Sequence, residues 1–230
     1  MKRPFRVWTI SFACCLVLVL ISIRYLDHPI ADFLELHFRH TKGWIVLNAA
    51  LDPLKVIVLA ALLSLFGAGG MLIAAKPLPS WIRKPLICAV ASMWALATEF
   101  VFKQIFGRAW PEPTYIRDHL DGFRFLHATY GWTAFPSGHA LNSFAIAAVV
   151  WQLVPRWRVP VMTLAVFVSA GMVACNYHWL SDVLAGAFLG VTIGWMTVLF
   201  TAVSVPDAKY PNENRPDIYN PSATSSNRAG

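Results

Sequence analysis

The sequence predicts an all-α membrane protein: a bundle of six transmembrane helices with an interfacial helix. Three observations carry this. The chain is 57% hydrophobic and only 13% charged, against roughly 45–50% and about 25% in soluble domains. A soluble domain of 230 residues cannot hide so much apolar surface. Six apolar runs each approach the roughly 20 residues that cross a bilayer. Lys and Arg gather beside those runs and form no basic stripe, so the net charge of +7 points to topology and anionic lipid, not to nucleic acid. The length suits one domain, 1–205, and a tail, 206–230.

The first span, about 7–26, follows the basic start Met1-Lys2-Arg3-Pro4-Phe5-Arg6. No small-residue cleavage site follows Ile21-Ser22-Ile23-Arg24, so it reads as a retained span. Residues 27–43 are polar and mixed and contain Pro29. They read as the short interfacial helix. The second span covers about 53–75. Asp52 and Lys55 at its mouth can pair on one helix face, and Gly67-Ala68-Gly69-Gly70 lets another helix approach.

A short basic loop, 76–84, leads to the third span, about 85–106. The loop 107–134 is long, polar and aromatic. The fourth span, about 137–154, stops at Pro155, with Arg156 and Arg158 at its end. The fifth covers about 159–176. The sixth, about 183–205, carries no charge. Cys14, Cys15, Cys88 and Cys175 lie inside apolar runs, without metal-ligand spacing or a disulfide framework, and read as small core residues. The tail is rich in Pro, Asn, Ser and charge, the composition of a disordered cytoplasmic segment.

Lys and Arg set the orientation. With the N-terminus in the cytoplasm, eleven of the nineteen fall inside, seven outside, and Lys55 in the membrane. The loop 107–134 and two polar clusters, Phe135-Pro136-Ser137-Gly138-His139 and His178-Trp179-Leu180-Ser181-Asp182, then share the outer side.

Those clusters carry the chemistry. Ser137-Gly138-His139 opens a helix after Pro136, and a helix start offers unpaired N–H groups and a positive dipole end to an anion. Gly138 keeps those amides uncovered, and a Ser137 hydroxyl can donate as well. His139 in the first turn is placed to protonate a leaving oxygen. An ordinary helix cap is the alternative. His178 and Asp182 are four apart, so the carboxylate can fix one ring nitrogen and leave the other free to attack phosphorus. A structural pair capping a helix is the alternative there. Glu99 and Lys103 sit one turn apart at membrane depth, where ionisable residues are costly and functional by default. Lys103 can meet a phosphate with Glu99 as its restraint, or the two can be a structural pair. Arg108 can add a bidentate guanidinium.

Lys103, Pro136-Ser137-Gly138-His139 and His178-xxx-Asp182, in this order on six spans, resemble the phosphatidic-acid-phosphatase type 2 superfamily of lipid phosphatases, acid phosphatases and vanadium haloperoxidases. The resemblance covers about 53–205. It departs in two places. Trp110 stands where the first motif has an arginine before Pro111, and Gly171-Met172 stand where the third has Ser-Arg. Arg108, Arg117 or Arg124 are candidates to replace that charge.

The resemblance implies a helical bundle with an extracytoplasmic active-site loop. His178 would be the nucleophile that forms a phosphohistidine, oriented by Asp182. His139 would be the acid and then the base. Lys103, Arg108, Ser137 and Gly138 would bind the phosphate, supported by Glu99. It implies no metal and no cofactor. The expected protein is a phosphatase of a membrane lipid phosphate or pyrophosphate, in a bacterial inner membrane with its site toward the periplasm. A lipid phosphotransferase and a non-catalytic head-group binder are the alternatives. The partner is the lipid substrate, with no nucleic acid; the sequence leaves the oligomeric state open.

Overall fold

The computed structural model describes residues 2–51 and 80–204. The expected second span, the Asp52–Lys55 pair, the 67–70 glycine run and the tail lie outside them. Every described element is helical apart from one isolated antiparallel bridge, Arg108 with Phe123. The helices are α1 (Lys2–Ile21), α2 (Asp27–His37), α3 (Lys42–Leu51), α4 (Arg83–Phe106), α5 (Gly138–Leu153), α6 (Arg158–Ala174) and α7 (Leu180–Ser204).

Among the described residues, four stretches are long and apolar enough to cross a membrane: Phe5–His37, Arg83–Phe106, Pro155–Ala174 and Leu180–Thr201. Their outward faces carry large apolar side chains such as Ile10, Leu18, Phe100, Phe167 and Phe200. Lipid is the solvent for such faces, because the helices satisfy their own backbone groups.

The stretch 27–43, expected as a short interfacial helix, holds α2 and the start of α3. Helix α1 runs into α2 through a π-helical turn, Ser22–Leu26, where the Asp27 N–H donates to the Ser22 carbonyl. The wider turn adds a residue without breaking the helix. Ser22 and Asp27 are buried on its inner side.

The expected fourth span is α5, and it is the hub. Its 16 residues span roughly 24 Å at 1.5 Å per residue, and it packs on α4, α6 and α7. Leu141, Ala145 and Val149 of α5 form one apolar cluster with Ala91 and Ala95 of α4. Ala140 joins Val168, Met172, Cys175 and Val183 in another. Buried on several faces, α5 has no polar stripe. One buried hydrogen bond, Ser92 Oγ to Asn142 Oδ1 at 2.9 Å, ties α4 to α5.

Helix α7 reaches α5 through a ladder of glycines. A β-carbon on Gly186 would lie 2.6 Å from the Ser137 carbonyl oxygen, and one on Gly190 or Gly194 would strike the carbonyls of Leu141 or Ala145. Small residues one turn apart let backbones touch where no hydrophobic effect drives helices together. That contact fixes the start of α5 against the start of α7. Helix α1 rests on the far side of α7, with Trp8 Nε1 donating to Thr192 Oγ1 at 3.3 Å and Phe12 tilted on Phe188.

Candidate active site

Near its C-terminal end α4 carries Glu99 and Lys103, paired Nζ to Oε1 at 2.6 Å and each about 20% exposed. The helix stops at Gly107, which is left-handed (φ 51°) and donates its N–H to the Lys103 carbonyl. A β-carbon there would also collide with the Arg124 carbonyl. The backbone of the next residue is pinned, because Ala109 N–H donates to Gly122 and Ala134 N–H to the Arg108 carbonyl.

The Arg108 side chain points inward and is 4% exposed. Its Nη1 donates to Ser181 Oγ and to Asp182 Oδ1, each at 2.5 Å, and its Nη2 to Asp27 Oδ2 at 2.6 Å. The Phe123 and Trp179 rings flank the guanidinium at 5.1 and 5.4 Å. Buried charges persist only when paired and hydrogen-bonded, and this guanidinium has two carboxylates.

Asp182 lies in the first turn of α7, fully buried. Its Oδ2 takes the Trp179 N–H at 3.1 Å, the backward bond of a third-position capping carboxylate. The same oxygen stands 3.7 Å from His178 Nδ1. That is beyond hydrogen-bond length, and Nδ1 is buried without a hydrogen-bond partner among the described residues.

Helix α5 begins with Ser137 as N-cap, its Oγ accepting from Ala140 N–H at 3.5 Å. The Ser137 N–H donates to the Asp182 carbonyl at 3.1 Å. This bond joins the two polar clusters, 45 residues apart in sequence. Gly138 follows, with the Glu99 carboxylate in the space its β-carbon would need. Lys103, Glu99, Ser137, Gly138, Asp182, His178 and Arg108 therefore form one contiguous assembly. His139 is half-buried on the first turn of α5, next to Gly138.

Apolar side chains pack at both departures from the motifs. Trp110 packs with Ala31, Ala134 and Trp179, and Met172 is 2% exposed in the apolar cluster around Val168. The Met172 carbonyl takes the Tyr177 and His178 N–H groups. Arg117 is exposed and paired with Glu112 at 2.5 Å, while Arg124 lies 3.7 Å above the Trp132 ring.

Sequence reasoning missed Asp27 and gave Ser181 no role. Asp27 accepts from Ser22 Oγ (2.8 Å), Ser181 N–H (3.1 Å), Ser181 Oγ (2.5 Å) and Arg108 Nη2. The one hint was a carboxylate five residues after a serine at the end of an apolar run.

The sequence pattern of the PAP2 superfamily matches residues 84–205, more than half of the chain. The chain belongs to the PAP2 superfamily. Among its relatives, the lipid A 1-phosphatase of Rhizobium etli is 31% identical over 125 residues, 54% of this chain and 51% of the relative. That of Rhizobium johnstonii is 30% identical over 124 residues, 54% and 49%. The lipid A 1-phosphatase of Porphyromonas gingivalis is 35% identical over 65 residues, 26% and 15%. The chain spans about half the length of the two Rhizobium relatives, and less of the third.

The crystal structure of a transmembrane PAP2-type phosphatidylglycerolphosphate phosphatase from Bacillus subtilis has a similar fold, with a TM-score of 0.55. It is 18% identical, and the likeness covers 88% of this chain and 98% of that one. All of Lys103, the Ser137–His139 cluster, His178 and Asp182 fall within the PAP2 match, and Asp27 lies outside it.

Proposed function

We propose that this PAP2 protein is a metal-independent phosphatase of a membrane lipid, working through a phosphohistidine. The observation that carries the reading is the Ser137 N–H to Asp182 carbonyl bond, because it holds the helix start bearing His139 against the helix start that follows His178. In this reading the His178 ring, with Nδ1 toward Asp182, attacks phosphorus through Nε2. The ester P–O bond breaks, and His139 gives its proton to the leaving oxygen. His139 then takes a proton from water, which attacks the phosphohistidine and frees inorganic phosphate. Lys103, the Ser137 hydroxyl and the first amides of α5 stabilise the equatorial oxygens. Arg108, already engaged by Asp27, Ser181 and Asp182, orients Asp182 in place of touching phosphate.

The rest of the proposal concerns placement and substrate. Residues 1–205 form the six-span domain, with the N-terminus and the 206–230 tail in the cytoplasm. The site faces the periplasm at the outer leaflet of a bacterial inner membrane, as the Lys and Arg distribution supports. The relatives' names support a phosphorylated glycolipid of the lipid A kind as substrate. A second reading, a head-group binder without turnover, is favoured by the apolar Met172 and Trp110 at motif-arginine positions.

The test is phosphate release by purified protein in detergent with EDTA. Lipid A 1-phosphate, phosphatidate and an isoprenoid diphosphate are supplied in parallel. His139→Ala should cost about 10²–10⁴-fold, the usual share of a general acid, and His178→Ala should abolish release. Head-group binding without release by the parent protein would establish the binder instead.

A further inference from the structure

The N-terminal helix contributes a buried carboxylate that none of the family motifs includes. Asp27 is 2% exposed, and four donors fill its oxygens: Ser22 Oγ, Ser181 N–H, Ser181 Oγ and Arg108 Nη2. A carboxylate has about four lone-pair sites, so this one is saturated. A saturated buried carboxylate can be purely structural. What sets Asp27 apart is how it divides Arg108.

An arginine beside a single carboxylate tends to close on it with both arms, two parallel N–H···O bonds. Here the arms are split. Nη2 goes to Asp27, and Nη1 goes to Asp182 Oδ1, shared with Ser181. Asp182 Oδ2 therefore accepts the Trp179 amide N–H and stands 3.7 Å from His178 Nδ1. Without the charge on Asp27, both arms of Arg108 can close on Asp182 and cover Oδ2. The His178 ring then loses the carboxylate oxygen that, in the proposed mechanism, fixes its tautomer.

We propose that Asp27 is a positioning residue: by holding one arm of Arg108 it reserves Asp182 Oδ2 for the His178 ring. It reaches the site because the π-turn Ser22–Leu26 sets its inward direction and Ser22 holds its Oδ1. The site is thus completed by a helix outside the 84–205 family match. The effect on the ring rests on the proposed pairing of Asp182 with His178, and the consequence for turnover rests in addition on the proposed role of His178 as nucleophile.

The experiment compares parent protein, Asp27→Asn, Arg108→Gln and the double variant in detergent. The ring nitrogens of His178 are followed by NMR on ¹⁵N-histidine-labelled protein, with the signal assigned by His178→Gln. Asp27→Asn should shift His178 from one tautomer to a mixture. It should also lower kcat about tenfold or more while KM stays within about threefold, the mark of an interaction used in the transition state. With the fork removed by Arg108→Gln, Asp27→Asn should change the ring signal no further, because the two act as a unit.

A purely structural Asp27 would lower Tm but leave the ring signal and the kcat per folded molecule as in the parent, and that result overturns the proposal. An equal further change in the Arg108→Gln background also overturns it. If Asp27→Asn does not fold, Ser22→Ala decides. It removes one of the four bonds, and it should move the ring signal the same way by a smaller amount; an unmoved signal overturns the proposal. A parent that releases no phosphate, with the ring signal responding as expected, would defeat the phosphatase reading and leave the positioning role standing.

Discussion

The Glu99 carboxylate lies against Gly138, in the volume a β-carbon would fill, while its Oε1 accepts from Lys103 Nζ at 2.6 Å. An anion of the protein's own therefore sits at the cation and the helix start that the proposal assigns to phosphate. Substrate must part this pair or share it.

Glu99→Gln tests the relationship. Removing one negative charge beside the phosphate position should tighten inhibition by inorganic phosphate about threefold to tenfold, near 1 kcal/mol for a partly exposed group. Inhibition constants for the two proteins check it. A weaker constant in the variant would show that Glu99 serves to hold Lys103 in place.

Arg108 should not tolerate lysine. A single ammonium cannot span Asp27, Ser181 and Asp182 as the planar fork does. Arg108→Ala should cut turnover at least tenfold and cost about 3–5 kcal/mol of stability, because it leaves buried carboxylates without their cation. Arg108→Lys should recover part of the stability and little of the turnover. Thermal unfolding beside phosphate release separates the two effects.

How far the sequence could be read follows from where each signal lies. Apolar length announced α4, α6 and α7, and the clusters at 135–139 and 178–182 announced the helix starts that meet. Arg108 was visible as a cation, but its direction was not, because two of its partners lie 73 and 74 residues later and one 81 earlier. Asp27 was hidden for a related reason. Its role depends on a turn of π-helix that composition does not reveal, and residues 27–43 looked like a polar margin. The central position of α5 was also obscure, since a short buried helix and a spanning one share an apolar sequence.

The glycine ladder gives a stability prediction. Gly190→Val would drive a branched side chain into the Leu141 carbonyl of α5. Backbone cannot swing away as a side-chain end can, so the loss should be about 1–3 kcal/mol or more. Denaturation in detergent should register it, and turnover should fall as the two helix starts separate.

Tyr115 lies in the loop between α4 and α5. Burial first, then the charges of Asp32 and Asp121 and the bond to Asp32, push the Tyr115 phenol above its usual value of 10.0. A group whose folded pKa is raised supports the fold below its unfolded value and loses that support as pH climbs through the folded one. Stability should therefore fall above about pH 10, and less steeply in Asp32→Asn. The difference between parent and Tyr115→Phe in phenolate absorbance, with unfolding curves at each pH, checks the sign.

The π-turn at Ser22–Leu26 means that the number of residues in the first helix matters as much as their identity. Winding residues 22–26 as regular α-helix without removing one would turn all that follows by roughly 100°, the angle of one residue. The acid at 27 would swing off the inner side, and an apolar neighbour would turn to face the guanidinium. Deleting one residue there would let regular winding return with both flanks facing as they do now, so this stretch should keep its register through a one-residue gap and lose it through a one-residue addition.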